Sequence, residues 1–220
     1  MANFDSAVSK TLTFEGGYTN NPNDPGGATK YGITLNVLKG LGKEFDLNHD
    51  GTINSEDVKL LSLDEAKEIY RELYWRGENI ISQAIAEKHF DVGVNTGVIT
   101  ATKMLQEACV KLGSNLVIDG NLGPKSLTNI NSLNESKLMS AFCSLHENYY
   151  WDITLNNIKS HSMSFSWPEN LISVAITACS WHNLSEVKTV LITLDQLKLK
   201  KGLIAFIPGW IIRAKNRFGV

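Results

Sequence analysis

Apolar residues recur at helical spacing along most of this chain, and the exceptions are confined to a few short stretches. Phe4, Val8 and Leu12 lie on one helical face, and the stretch ends at Glu15 followed by Gly16 and Gly17, the punctuation expected after a last turn. The first helix therefore presents Glu15 at its C-terminal end. Between residues 18 and 33 the period is lost and Gly, Asn, Pro and Thr dominate. Tyr18, Thr19 and the run Thr29 to Ile33 read as short strands around the turn Asn23-Asp24-Pro25-Gly26. A small exposed hairpin is the prediction. Thr34 then caps a short helix through Leu41, and Ser62-Leu63-Asp64-Glu65 is a capping box ahead of Ala66, Ile69, Tyr70 and Leu73.

Beyond this point the pattern is helical almost throughout. Amphipathic segments run from about Ile80 to Val94, Thr100 to Leu112, Ser136 to Trp151, Leu171 to Ala178 and Glu186 to Lys200, separated by Gly or Asn. Residues 157 to 170, with Ser160, Ser162, Ser164, Ser166 and Pro168, form the best candidate loop. No repeat of fixed period and no low-complexity linker interrupts the chain. The fold class is mainly α with one small β element.

Composition narrows the class of protein. With 220 residues, 43% of them hydrophobic and 20% charged, the chain is long and apolar enough to bury a core without disulfide or metal staples. Its net charge of -2 argues against a nucleic-acid or membrane coat. The charge is uneven, though: after Asp195 no acid follows, while Lys198, Lys200, Lys201, Arg213, Lys215 and Arg217 make a cationic tail that either meets an anionic polymer or is simply a solvated face. Cys109, Cys143 and Cys179, set among apolar residues at no recognisable spacing, read as reduced core residues. MANFDSAVSK is not a secretory signal, and no stretch reaches the roughly 18 apolar residues of a membrane span. The expectation is a protein made in the cytoplasm, without stable membrane insertion. No zinc-ligand spacing or phosphate-cradling glycine motif is present, so no organic cofactor, nucleotide or nucleic acid is expected.

Glu15 suggests the chemistry. Cleaving a glycosidic bond needs one carboxylic acid kept protonated for the leaving oxygen and a second group that stabilises positive charge or activates water. A carboxylate at a helix C-terminus faces the negative pole of the macrodipole, and burial in a cleft would add desolvation; both favour the neutral acid. Asp24 sits in a polar turn where a solvated carboxylate stays ionised. Two acids in contrasting environments form a plausible pair. The competing readings are an ordinary helix-end acid for Glu15, a turn cap for Asp24, a strand-pairing residue for Thr29 and packing aromatics for Tyr18 and Tyr31.

The segment FEGGYTNNPNDPGGATKYGIT, Phe14 to Thr34, closely resembles the N-terminal motif of glycoside hydrolase family 108, the lysozyme-like N-acetylmuramidases of phage endolysins and of bacterial proteins once labelled secretion activators. The order Glu15, Asp24, Thr29 also resembles the Glu, Asp, Thr set of phage-type lysozymes, with one residue fewer between Asp24 and Thr29. YRELYW (Tyr70 to Trp75) and FDVGVNTG (Phe90 to Gly97) resemble later blocks of the family. Ala101 to Leu127, containing LQEA and VIDGNLGPKSL, is similar to a peptidoglycan-binding module, and FIPGWIIRAKNR (Phe206 to Arg217) resembles the family's tail. The resemblance implies a lysozyme-like two-lobed fold with its hairpin beside the active-site cleft: a catalytic lobe over 1–97 and a helical peptidoglycan-binding lobe over 98–220. It implies hydrolysis of the β-1,4 bond between N-acetylmuramic acid and N-acetylglucosamine, with Glu15 as general acid, Asp24 and Thr29 beside it, and Tyr18, Tyr31 and Asn95 at the sugar. Peptidoglycan would be the partner of a monomer that reaches the wall after holin-type release or secretion-system delivery. One departure stands out: residues 160–203 are inserted where the family passes almost directly from the Tyr149-Tyr150 helix to its GW-containing helix. The apolar stripe Val187, Val190, Leu191, Leu194 and Leu197 suggests an extra helical hairpin there.

DLNHDGTINSED, Asp46 to Asp57, has the EF-hand order, with oxygen ligands at positions one, three, five and twelve and Gly51 at six. Asp46, Asn48, Asp50 and Asp57 would supply side-chain oxygens, Thr52 its carbonyl and Asn54 a water-mediated contact to a structural Ca²⁺. Asp at position twelve resembles dockerin loops. The alternative is an Asx-rich turn without an ion. Three functional readings compete: a muramidase, which includes a lytic transglycosylase variant yielding an anhydro sugar; a non-catalytic peptidoglycan-binding protein; and a calcium-dependent interaction module. The last is weakest, because dockerins need duplicated loops and only one is present.

Overall fold

A computed structural model describes residues 1–14, 17–20 and 27–162. The chain divides into two compact units, Met1–Phe142 and Cys143–Val220. α1 (Phe4–Phe14) is followed by strands β1 (Thr29–Lys30) and β2 (Ile33–Thr34), α2 (Leu35–Leu41), a 3-10 turn at Lys43–Phe45 and α3 (Ser55–Leu60). The helices α4 (Leu63–Tyr74), α5 (Gln83–Thr96), α6 (Val98–Lys111) and α7 (Pro124–Ser132) complete the first unit, and α8 (Glu135–Ser162) runs from it into the second.

Capping chemistry sets most of these boundaries. Thr34 accepts from the Val37 amide at the start of α2, and Ser62 and Glu65 form the reciprocal capping box of α4, both as the sequence predicts. α5 begins at Gln83 rather than Ile80 because the Ser82 hydroxyl accepts from the Ile85 amide, so the apolar residues ahead of it belong to the connection. Ile80 is buried there and Ile81 is exposed. Two short helices escape the periodicity. α3 is opened by the Asn54 cap and α7 by Pro124 in its first turn.

Two expectations need correction. The run Thr29 to Ile33 is not one strand: it folds back at Tyr31-Gly32, pairing Thr29 with Thr34 and Lys30 with Ile33, and Thr29 also bridges to Thr19. Both central residues have positive φ, 52° and 75°, the backbone of a two-residue hairpin turn whose twist matches the strands. The first part of the candidate loop at 157–170 is helical, since α8 runs through Ser162 and Ser160 does not break it; its remainder lies outside the described residues. The segments Leu171 to Ala178 and Glu186 to Lys200, Cys179, the stripe from Val187 to Leu197, the basic tail and nearly all of the 160–203 insertion lie outside the described residues.

An aromatic cluster forms the centre of the first unit. Phe4 of α1 meets Trp75 and Phe90 edge-on at 5.6 and 5.8 Å, and Phe90 of α5 meets Tyr70 and Trp75 at 6.1 and 5.9 Å. All four are essentially buried, so α1 is held against α4 and α5 by ring packing as well as by aliphatic contact. α5 and α6 make the most extensive helix pair, burying Ala101, Met104, Leu105, Ala108 and Cys109 on the α6 side.

Candidate active site

α1 is held to its neighbours by contacts of residues 2–10. The Ala2 amide donates to the Ile80 carbonyl at 3.1 Å, and Asn3 and Gln83 exchange two hydrogen bonds, Asn3 N to Gln83 Oε1 and Gln83 Nε2 to the Asn3 carbonyl. One turn on, Glu87 of α5 accepts from Ser6 Oγ and is paired with Lys10. Desolvation raises the Glu87 pKa. The hydrogen bonds from Lys10, Gln83 and Ser6, together with the Lys10 charge, outweigh it and leave the carboxyl below its ordinary value. Arg71 of α4 lies 4.1 Å from the Phe4 ring and 3.8 Å from Asp5. α1 is thus tied to both neighbours and runs to Phe14, the residue before Glu15. Glu15 itself and Asp24 lie outside the described residues.

The hairpin is held by its backbone. Thr19 and Thr29 exchange both N–H···O bonds at 2.8 Å. Tyr31 occupies left-handed backbone, costly for a bulky residue, and the Tyr70 hydroxyl donates to its carbonyl at 3.1 Å, which holds the turn onto α4. Lys30 Nζ reaches the Lys59 carbonyl at 2.6 Å and lies 5.3 Å from the Tyr31 ring. Thr29 Oγ1 donates to the Gly27 carbonyl at 3.3 Å, a long contact that leaves its lone pairs free to accept. Tyr18 is exposed, next to Thr19. Of the residues expected at the sugar, Tyr31 is in the hairpin turn and Tyr18 adjoins Thr19, which bridges to the catalytic candidate Thr29, while Asn95 sits near the end of α5 with its amide donating to the Asp91 carbonyl at 2.6 Å.

The acidic loop adopts part of the EF-hand arrangement. Asp46 Oδ2 accepts from Gly51 N at 2.9 Å, Gly51 has φ +88°, and Asn54 caps the outgoing helix α3. Asp50 accepts from Thr52, whose hydroxyl and amide, together with Asn48 and Asn54, lower its pKa. Asp57 is fully buried and behaves differently: its two oxygens accept the amides of Leu47 (2.8 Å), Asn48 (3.2 Å) and Asn54 (2.7 Å). Among the described residues, no group of three or more His, Cys, Asp or Glu side chains is arranged to hold a metal ion. The donor set is the one Ca²⁺ uses, whereas the carboxylates do not converge.

Three comparisons bear on this frame. The family profile described as Glycosyl hydrolase 108 matches residues 8–97, and the one described as Predicted Peptidoglycan domain matches residues 100–215. A solved structure titled "Structure of Brucella abortus SagA" is similar at 26% identity with a TM-score of 0.54, over 75% of this chain and 96% of that one. No match was found among curated proteins. Residues 8–97 belong to glycosyl hydrolase family 108, and a C-terminal peptidoglycan-binding segment follows them. The chain is a glycoside hydrolase, and the segment that follows marks peptidoglycan as its polymer.

Within this chain, the segment resembling a binding module owes its shape to one side chain that the sequence does not single out. Gln106 of α6 is fully buried; its amide nitrogen donates to Asp119 Oδ1, the Asn121 carbonyl and Ser126 Oγ at 2.8, 3.0 and 3.1 Å, and its oxygen accepts from Gly120 N at 2.9 Å. The same network, led by Gln106, keeps Asp119 ionised below the usual carboxylate range. The only sequence signal for this role is a lone Gln at an inward helical position. His89 on α5 is also buried, 2.9 Å from Thr102 Oγ1 through Nε2. Burial, and secondarily the Arg76 charge, push it down to about 4. Among the described residues no helix is long and apolar enough to cross a membrane.

Proposed function

We propose that the enzyme hydrolyses the β-1,4 bond between N-acetylmuramic acid and N-acetylglucosamine, with Glu15 as the general acid. The observation that carries this reading is α1, held to α4 and α5 by contacts of residues 2–10 and ending at the residue before Glu15, in the segment matched to the hydrolase family. A helix C-terminus favours the uncharged carboxyl. Glu15 protonates the leaving oxygen, ionised Asp24 stabilises the positive charge that develops on the sugar, and Thr29 accepts a hydrogen bond from the attacking water and aims it; the water's oxygen bonds to the sugar carbon as the bond to the leaving oxygen breaks, and the proton the water sheds passes to solvent. Tyr18 and Tyr31 lie along the glycan and Asn95 contacts an acetamide. Solubilising the wall is the consequence, after release or delivery from the cytoplasm where the chain is made. Asp46, Asn48, Asp50, Asp57 and the Thr52 carbonyl would hold Ca²⁺ as a structural ion in the Asp46 to Asp57 loop, where it would offset the repulsion of the acids.

The test is digestion of purified sacculi followed by mass spectrometry of the soluble products. Wild type is expected to release muropeptides with reducing ends, and Glu15→Gln to release them at least about a hundredfold more slowly, in line with the loss of a general acid. Anhydro-muramyl products would reassign the enzyme as a lytic transglycosylase. Binding of sacculi without release would leave a binding protein, and equal rates for the two proteins would remove Glu15 from the chemistry.

A further inference from the structure

The first unit contains a groove of about 440 Å³ that the catalytic reading does not use. Its walls come from the connection after α4, the first two turns of α6 and the segment Gly120 to Leu122. The Ala2 to Ile80 hydrogen bond places the N-terminal end of α1 beside this connection, so the groove lies at the opposite end of α1 from Phe14, about 16 Å of helix away. Its residues come from both the hydrolase match and the peptidoglycan match.

Three features make this a built site. One wall is set in advance, because Gln106 holds Gly120 N and the Asn121 carbonyl. Gly120 has φ +81°, and a Cβ there would stand 2.8 Å from Ile99 Cγ2, so the wall backbone rests directly on α6 and only glycine fits. The floor is apolar where water would not favour it: Ile99 is 65% exposed and faces the groove with Leu122. Finally, the rim carries opposite charges, Arg76 and Glu78. Arg76 spends Nη1 on the carbonyls of Glu72 and Trp75 and still remains exposed. α6 begins at Gly97 without a side-chain cap, leaving its first amides to another acceptor.

We propose that this groove is a second, non-catalytic site that takes the peptide stem of peptidoglycan. A stem presents a free carboxylate, a free amino group on its diamino acid and small apolar side chains. Arg76 and the first amides of α6 receive the carboxylate, Glu78 the amine, and Ile99 and Leu122 the methyl groups. An unsubstituted glycan strand offers no such charges. The proposal rests on peptidoglycan being the polymer this enzyme cleaves.

The experiment uses the full chain carrying Glu15→Gln to prevent turnover, titrated with a soluble disaccharide-tetrapeptide containing a diamino acid and, separately, with a chito-oligosaccharide lacking peptide. Arg76→Gln and Ile99→Asp are each expected to weaken muropeptide binding at least tenfold and to leave oligosaccharide binding unchanged. Ile99 is exposed, so its variant folds even if Arg76→Gln does not. In the parent protein the muropeptide should shift the amide resonances of Gly120 and Asn121. Unchanged affinity in the variants, or shifts confined to residues 18–33, would overturn the groove while wild-type cleavage of sacculi leaves the enzymatic reading intact. If wild type neither binds nor cleaves sacculi, both fall.

Discussion

His89 is a neutral imidazole built into the middle of α5, and that has a consequence for pH. Its pKa falls from 6.5 to about 4 on folding, because burial disfavours the charged ring and Arg76 adds repulsion. Between those values the unfolded chain binds a proton that the folded chain does not, so stability rises with pH across this window. The contribution is complete above 6.5 and is lost as pH falls towards 4, by on the order of 3 kcal/mol. Urea unfolding of wild type and His89→Gln from pH 4 to 7.5 should show the wild type losing its advantage over that interval; parallel curves would exclude the residue as the cause. Gln106 is the second buried polar residue with a defined role. Gln106→Ala leaves the Gly120 amide and Ser126 without their partner and should cost about 3 kcal/mol in denaturant unfolding, with the melting transition still cooperative. Neither role could be read from sequence, where a His and a Gln on inward helical positions look alike whatever they bond. Of the cysteines read as reduced core residues, Cys109 is buried with a free thiol but Cys143 is only half-buried; burial pushes the Cys109 thiol up to about 11, so it should resist alkylation.

Short elements held by local bonds were the most legible part of the chain. The caps at Thr34 and Ser62 depend on residues three apart, and they form as the sequence indicates. The hairpin was legible as an element but not in its register, because Tyr31 at positive φ is tolerated only with the Tyr70 hydroxyl, 39 residues away, on its carbonyl. The acidic loop divides in the same way. Its Asp46, Gly51 and Asn54 geometry is local, while the burial of Asp57 beneath the loop comes from packing. In EDTA, Asp57→Ala should therefore lower stability by about 2 to 3 kcal/mol and Asp50→Ala by much less, since only Asp57 holds three amides out of water. Millimolar Ca²⁺ should raise the wild-type melting temperature. Equal melting temperatures with Ca²⁺ and EDTA would remove the ion from the loop.

Over the chain as a whole, the hydrolase match ends at residue 97, yet the α5–α6 pair that crosses this point is the most extensive in the first unit. A chain ending at Gly97 leaves His89 of α5 without Thr102 and Gly93 without Val98 and Ala101 of α6 beside it. It is expected to lose its cooperative thermal transition, whereas the full chain keeps one; scanning calorimetry of both decides this. Helical period, capping residues and the motif around Glu15 are carried by residues within a few positions of one another, and so the mainly α class, the hairpin and the family could be read without coordinates. The partners of Gln106, His89 and Tyr31 come from segments that only folding brings together. Hydrogen bonding and burial are settled by neighbours in space, and a one-dimensional pattern records which faces are apolar but not which faces meet.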